Sequence, residues 1–173
     1  IKFVYRMLNS GRDASMQGLG YHYKILNWAR AHNDHITEAV LTAEIGYNIY
    51  ENGDNDTGVK MCFSALKIAE QTGNKQAIGI VYDNLSVCLG DNNPTLGKAY
   101  GEKALKFAQA AKDTLTIAWA LANLSSSYYR LHERAAAKNY ATLYLKWSVD
   151  NYKDQAASAL AIWSGFVPGN EKL

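Results

Sequence analysis

The sequence predicts an all-α fold, a solenoid of antiparallel helical hairpins, and three observations carry that expectation. Leu26, Leu66, Leu105 and Leu145 recur at separations of 40, 39 and 40 residues, and self-similarity at a fixed period of this size marks stacked supersecondary units. Each leucine sits in the same local pattern: Ile25-Leu26-Asn27-Trp28-Ala29, Ala65-Leu66-Lys67-Ile68-Ala69, Ala104-Leu105-Lys106-Phe107-Ala108 and Tyr144-Leu145-Lys146-Trp147-Ser148. Only two prolines, Pro94 and Pro168, interrupt 173 residues rich in Ala, Leu, Lys and Glu, a composition that favours helix.

Nine helices are expected, near 1–9, 14–31, 35–51, 57–72, 75–90, 95–111, 114–131, 134–151 and 154–166. The first puts Ile1, Val4, Tyr5 and Leu8 on one face and reads as half of a partial repeat over 1–13. The second carries Leu26. The third ends in the polar break Glu51-Asn52-Gly53-Asp54-Asn55-Asp56-Thr57. The fourth carries Leu66 and stops at Thr72-Gly73-Asn74, where Gly and Asn suit a left-handed cap. The fifth shows an apolar stripe, Ala77, Ile78, Val81, Tyr82, Leu85, Val87 and Leu89. Gly90-Asp91-Asn92-Asn93-Pro94-Thr95 breaks it, with Thr95 placed to cap the sixth. The sixth carries Leu105, the seventh stops weakly at His132-Glu133-Arg134, and the eighth carries Leu145. Val167-Pro168-Gly169 cuts the ninth short and leaves 167–173 as a loose tail. One domain over 1–173, with repeats across 14–166, follows; loops of four to seven residues or fewer make consecutive helices antiparallel neighbours. Neither end carries a polar capping helix, a pattern expected of a piece of a larger protein.

Composition narrows the function. Apolar residues make up 48% and charged residues 20%, a globular balance. A net charge of +2 supplies no field for nucleic acid or an anionic membrane. Lys98, Lys103, Lys106 and Lys112 are interrupted by Glu102 and Asp113 and read as a solvated face. No apolar run reaches the ~18 residues of a membrane span, and no signal-peptide pattern is seen; the compartment stays open, the cytoplasm favoured slightly over the periplasm. Cys62 and Cys88 form neither a disulfide scaffold nor a metal motif and read as small apolar fillers.

Chemistry-bearing constellations are weak, and no catalysis, cofactor or metal is expected. His32, His35 and Glu38 straddle a predicted turn, which leaves no fixed geometry for a metal. Asp54-Asn55-Asp56-Thr57-Gly58 lacks the spacing and closing glutamate of a calcium loop and reads as a turn followed by an N-cap. His22 and His132 have no nearby nucleophile with an orienting acid. Gly18-Leu19-Gly20 follows no strand and cannot cradle a phosphate.

Two further series recur with the same period. The first helices offer Thr42…Ile45-Gly46…Ile49, Tyr82…Leu85-Ser86…Leu89 and Leu121…Leu124-Ser125…Tyr128. The second helices offer Gly18…His22…Ile25, Gly58…Cys62…Ala65, Gly97…Gly101…Ala104 and Ala137…Ala141…Tyr144. This resembles the tetratricopeptide repeat, with large–Leu–small–large on the first helix and small residues with an aromatic and an Ala on the second. The period of 39–40 exceeds that family's ~34, the usual terminal proline is missing, and several aromatic positions are small. Longer repeats of this kind resemble those of bacterial regulatory and sensor proteins.

The resemblance implies a right-handed solenoid whose first helices line a concave groove. The implied lining is Val40, Ala43, Tyr47 and Tyr50, then Ile80, Asp83, Asn84 and Val87, then Trp119, Ala122, Asn123, Ser126, Tyr129 and Arg130. Tyr and Trp make good anchors for an extended ligand, and Asn84 and Asn123 could hold its backbone by donor and acceptor. Two alternatives stay open: the amides bond a neighbouring helix, and the aromatics pack between hairpins. Arg130 alone is basic on these faces, while Asp83 and Glu51 are acidic, so an apolar or mildly basic segment suits the groove better than a carboxylate. The expected function is a non-catalytic protein- or peptide-binding module, the sensory or scaffold part of a bacterial regulatory protein. The alternative is self-association through end helices bearing Ile1, Val4 and Tyr5, or Ile162, Trp163 and Phe166.

Overall fold

Polar linkers set the helix boundaries. In a computed structural model, residues 16–151 and 156–166 are described, and they contain eight helices and no strand. These are α1 (Met16–Ala31), α2 (His35–Glu51), α3 (Asn55–Thr72), α4 (Lys75–Gly90), α5 (Pro94–Ala111), α6 (Thr114–Arg130), α7 (Arg134–Asn151) and α8 (Ala156–Ser164). The expected helix at 1–9, the partial repeat over 1–13 and the tail at 167–173 lie outside the described residues.

Linkers between consecutive helices from α1 to α7 are two or three residues long. Their side chains close the helix starts: Asp34, Asp54, Asn74, Asn93 and Asp113 accept from backbone N–H groups of the first turn at 3.0–3.5 Å. Each such cap contributes about 1 kcal/mol. The start of α5 corrects one expectation. Asn93, not Thr95, is the cap, because Pro94 takes the first helical position, where its fixed φ fits and its missing N–H costs nothing. Asn33, Gly73 and Lys112 adopt left-handed backbone, φ 54°, 64° and 54°, at the ends of α1, α3 and α5. The turn repeats with the sequence, although only one of the three is glycine.

Small residues then decide how the helices pair. Gly46 on α2 faces Gly58 on α3 so closely that a Cβ on Gly58 would stand 2.6 Å from the Gly46 carbonyl oxygen. In the next pair a Cβ on Gly97 would stand 2.6 Å from Gly90 Cα. Ser86 Oγ donates to the Gly97 carbonyl at 3.0 Å, and Ser125 Oγ donates to the Ala137 carbonyl at 3.0 Å. A third set is enclosed in every repeat: Ala29, Ala69, Ala108 and Ser148, spaced 40, 39 and 40 residues, are all fully buried. A Cβ on Gly79 of α4 would already stand 3.1 Å from the Ala108 amide of α5. Among the repeated leucines only Leu26 is buried; Leu66, Leu105 and Leu145 are half-buried.

Two layers result. Each first helix packs on its own second helix, and α2 also packs on α4 and α4 on α6. The central helix α4 buries twelve of its sixteen residues, whereas α3 and α5 bury four each. First helices therefore form the inner layer, with one continuous core from Ala39 to Ala120.

Two substitutions test this packing in opposite directions. Gly58→Ala is expected to cost about 1–3 kcal/mol by overpacking, read from urea unfolding. Ser148 occupies the small-residue position with a buried Oγ that has no hydrogen-bond partner among the described residues. Ser148→Ala is expected to stabilise by about 1 kcal/mol.

Candidate functional site

The stacking places equivalent residues of α2, α4 and α6 in rows across the inner layer. Val40, Ile80 and Trp119 form one row; Ala43, Asp83 and Ala122 the next; then Tyr47, Val87 and Ser126; then Tyr50, Gly90 and Tyr129. Glu44, Asn84 and Asn123 form a fifth, and Glu51, Asp91 and Arg130 a sixth. The rows are unequally accessible. Val40, Ala43, Tyr50, Ile80, Asp83 and Asn84 are buried; Tyr47, Val87, Trp119, Ala122 and Asn123 are half-buried; Ser126, Tyr129 and Arg130 are exposed. The early rows are the more enclosed, and the surface opens toward the third repeat.

Polar side chains tie the rows together. Asn84 Nδ2 donates to Glu44 Oε1 at 3.3 Å and Asn123 Nδ2 donates to Asp83 Oδ1 at 3.0 Å. Both amides thus take the alternative left open by the sequence and bond the preceding first helix. Tyr50 Oη donates to Asp91 Oδ2 at 3.0 Å, while Arg130 Nη1 lies 2.7 Å from Asp91 Oδ1 and donates to the Gly90 carbonyl at 3.2 Å. Burial and the bond to Asp91 push the Tyr50 phenol up to about 12, so it stays a donor. Glu44 and Asp91 are members of this ladder that sequence reasoning missed; their spacing of 40 and 41 residues from Asn84 and Tyr50 is the signal that would have found them.

Two of the three aromatic groups, Trp119 and Tyr129, belong to α6, and Tyr47 to α2. Tyr129 is 50% exposed, meets Phe166 edge-on at 5.7 Å between ring centroids, and lies 5.8 Å from the Arg134 guanidinium. Tyr47 and Trp119 pack partly on the core and keep part of their surface open. Among the described residues no group of three His, Cys, Asp or Glu side chains could hold a metal ion. His32 and Glu38 have local partners instead: His32 Nδ1 lies 2.8 Å from the Trp28 carbonyl and Glu38 accepts from Arg30 at 2.9 Å. Cys62 and Cys88 are free thiols; the contact with Cys88, then burial, pushes the Cys62 thiol up. No helix among the described residues is long and apolar enough to cross a membrane. No family model matches the chain, and no curated protein matches it.

Asp83 is the chemically unusual member. It is 4% exposed between two alanines of its row, and burial pushes its carboxyl up to about 7, with Glu44 and Asp113 adding to the rise and the Asn123 amide opposing it. The folded state thus favours the protonated form relative to the unfolded chain, where an ordinary carboxyl titrates near 3.8. The stability this gives is complete below pH ~4 and is lost as pH rises toward 7, at about 1.4 kcal/mol per pH unit. Asp83→Asn keeps an acceptor for Asn123 and removes the ionisation. Urea unfolding from pH 4 to 7 is expected to show wild-type stability falling relative to that variant, with no such divergence below pH 4.

Proposed function

We propose that the inner face of α2, α4 and α6 binds a protein or peptide segment, as a non-catalytic recognition module of the tetratricopeptide type. What carries this reading is the layout of Tyr47, Trp119 and Tyr129. Tyr47 comes from the first repeat and Trp119 and Tyr129 from the third, and all three share the inner layer and keep surface open. Rigid amphipathic rings of this kind are the usual anchors of an interface. The ladder of hydrogen bonds between the first helices holds the three in register, which lowers the ordering cost of meeting a ligand. By resemblance, the module is the sensory or scaffold part of a larger bacterial regulatory protein.

The test is selection of binders from a displayed random-peptide library, followed by fluorescence anisotropy of the winners. Tyr47→Ala, Trp119→Ala and Tyr129→Ala combined is expected to weaken binding by at least about a hundredfold, on the order of ~1 kcal/mol per anchor, with helix content unchanged. Unchanged affinity in the folded triple variant would remove the groove.

A second reading is self-association through the far end. Leu160 and Ile162 on α8 are 47% and 38% exposed, although Trp163 is engaged by Thr142 Oγ1 at 3.1 Å and Phe166 by Tyr129. Light scattering across a concentration series separates the two: a mass that rises with concentration and falls back in Ile162→Asp supports self-association, and a constant monomer mass removes it.

A further inference from the structure

The chain carries two cysteines, and the fold brings them together from separate repeats. Cys62 lies on α3 and Cys88 on α4, both buried in the same core cluster. Cys62 Sγ sits where α3 crosses α2. It donates to the Ala43 carbonyl at 3.6 Å and stands 3.0 Å from the place a Cβ on Gly46 would take. Cys88 reaches it from the next repeat, and the two thiols are in hydrogen-bond contact. The repeat geometry accounts for that meeting. Ser127 on α6 is the counterpart of Cys88 one repeat on, and its Oγ stands 3.0 Å from where a Cβ on Gly97 of α5 would be. This row of the first helices therefore faces the second helix of the preceding repeat.

Nothing in the repeat itself calls for sulfur at either place. The counterparts of Cys62 are His22, Gly101 and Ala141, and those of Cys88 are Asn48 and Ser127. Several other residues thus satisfy the pattern, yet the two thiols of the chain stand against each other. Two sulfurs in contact need only close to the ~2.05 Å of a disulfide bond. Gly73 and Asn74 alone join α3 to α4, and both cysteines lie roughly three to four turns from that linker. The sulfurs therefore keep facing each other when the two helices part.

We infer that Cys62 and Cys88 form a reversible disulfide that locks the first repeat to the second, with a hydroperoxide as the oxidant. One thiol, as its thiolate, attacks a peroxide oxygen; the O–O bond breaks, water leaves and a sulfenic acid remains. The second thiol attacks that sulfur, the S–S bond forms, and the sulfenic oxygen departs as a second water. Two thiols and one hydrogen peroxide give one disulfide and two waters, and the two electrons lost by sulfur reduce the peroxide. In the closed structure the contact with Cys88, then burial, keeps the Cys62 thiol protonated. Attack therefore waits for α3 to part from α4, and the reaction is slow. Once made, the bond constrains the unfolded chain and stabilises the fold.

The test exposes the purified chain to hydrogen peroxide in native buffer, then unfolds it without reductant and alkylates any remaining thiol with iodoacetamide. A nonreducing digest is expected to yield a linked peptide pair containing Cys62 and Cys88 from monomeric chain, with neither cysteine alkylated. Thermal midpoints are compared with an equally treated Cys88→Ser variant, which controls for methionine oxidation. The wild-type midpoint is expected to rise by about 5 °C on oxidation and to return with dithiothreitol, while that of the variant does not rise. Cys62→Ala is expected to behave as Cys88→Ser does; each variant takes the residue found at its counterpart in the third repeat, so both are expected to fold. Two alkylated cysteines after oxidation, sulfinic acid in place of the cross-link, or disulfides between chains would overturn the inference. So would a cross-linked chain whose midpoint falls, because the native packing would then reject the bond.

Discussion

Two helix backbones can lie against each other only where no side chain stands between them, and this constraint organises the whole chain. Gly46 against Gly58, Gly90 against Gly97, and Gly79 against Ala108 leave no room for a larger group. All three contacts pair the two helices of one repeat, the first joining α2 to α3 and the other two joining α4 to α5. Once each approach is fixed, the spacing between first helices follows, and equivalent residues fall into rows. The apolar core then fills the remaining space with Leu41, Ile45, Ile80, Leu85 and Leu124, whose burial supplies the stabilisation without choosing the geometry.

The rows explain why so few polar groups of the inner face are free for a ligand. Helices held this closely would strand any polar side chain lacking a partner, and Asn84, Asn123, Tyr50 and Arg130 each find one on a neighbouring first helix or just beyond its end. The ladder ties the first helices to one another, and the proposed recognition falls to the aromatic rings Tyr47, Trp119 and Tyr129. Asp83 records the cost of this arrangement, since a carboxylate enclosed by its neighbours is held partly protonated near neutral pH.

Much of this was legible in the sequence, and the parts that were not share a cause. The period, the all-α class and the pairing of Gly46, Ser86 and Ser125 with small residues on the next helix are local patterns, readable from spacing alone. The repeated leucines drew the eye first, yet Leu66, Leu105 and Leu145 are only half-buried; the small residue three positions later is the one enclosed in every repeat. Size at a contact is set by the facing backbone, which a one-dimensional pattern does not display. The start of α5 was misplaced because Thr95 is a good cap in isolation, and the claim of Pro94 on the first helical position outranks it. The burial of Asp83 and the roles of Glu44 and Asp91 depend on residues about 40 positions away, visible once the rows are aligned.

The inner position of the first helices is what every functional statement rests on, and it is measurable without a ligand. Spin labels placed by Tyr47→Cys and Ser126→Cys lie two repeats apart on the inner layer, and labels placed by Lys67→Cys and Lys146→Cys lie two repeats apart on the outer one. Cys62 and Cys88 are buried and stay unlabelled in the folded protein. Pulsed electron–electron double resonance is expected to give the shorter distance for the Tyr47–Ser126 pair. Equal distances, or a shorter Lys67–Lys146 distance, would mean that the stack is straight or curved the other way, and that the aromatic rows line no groove.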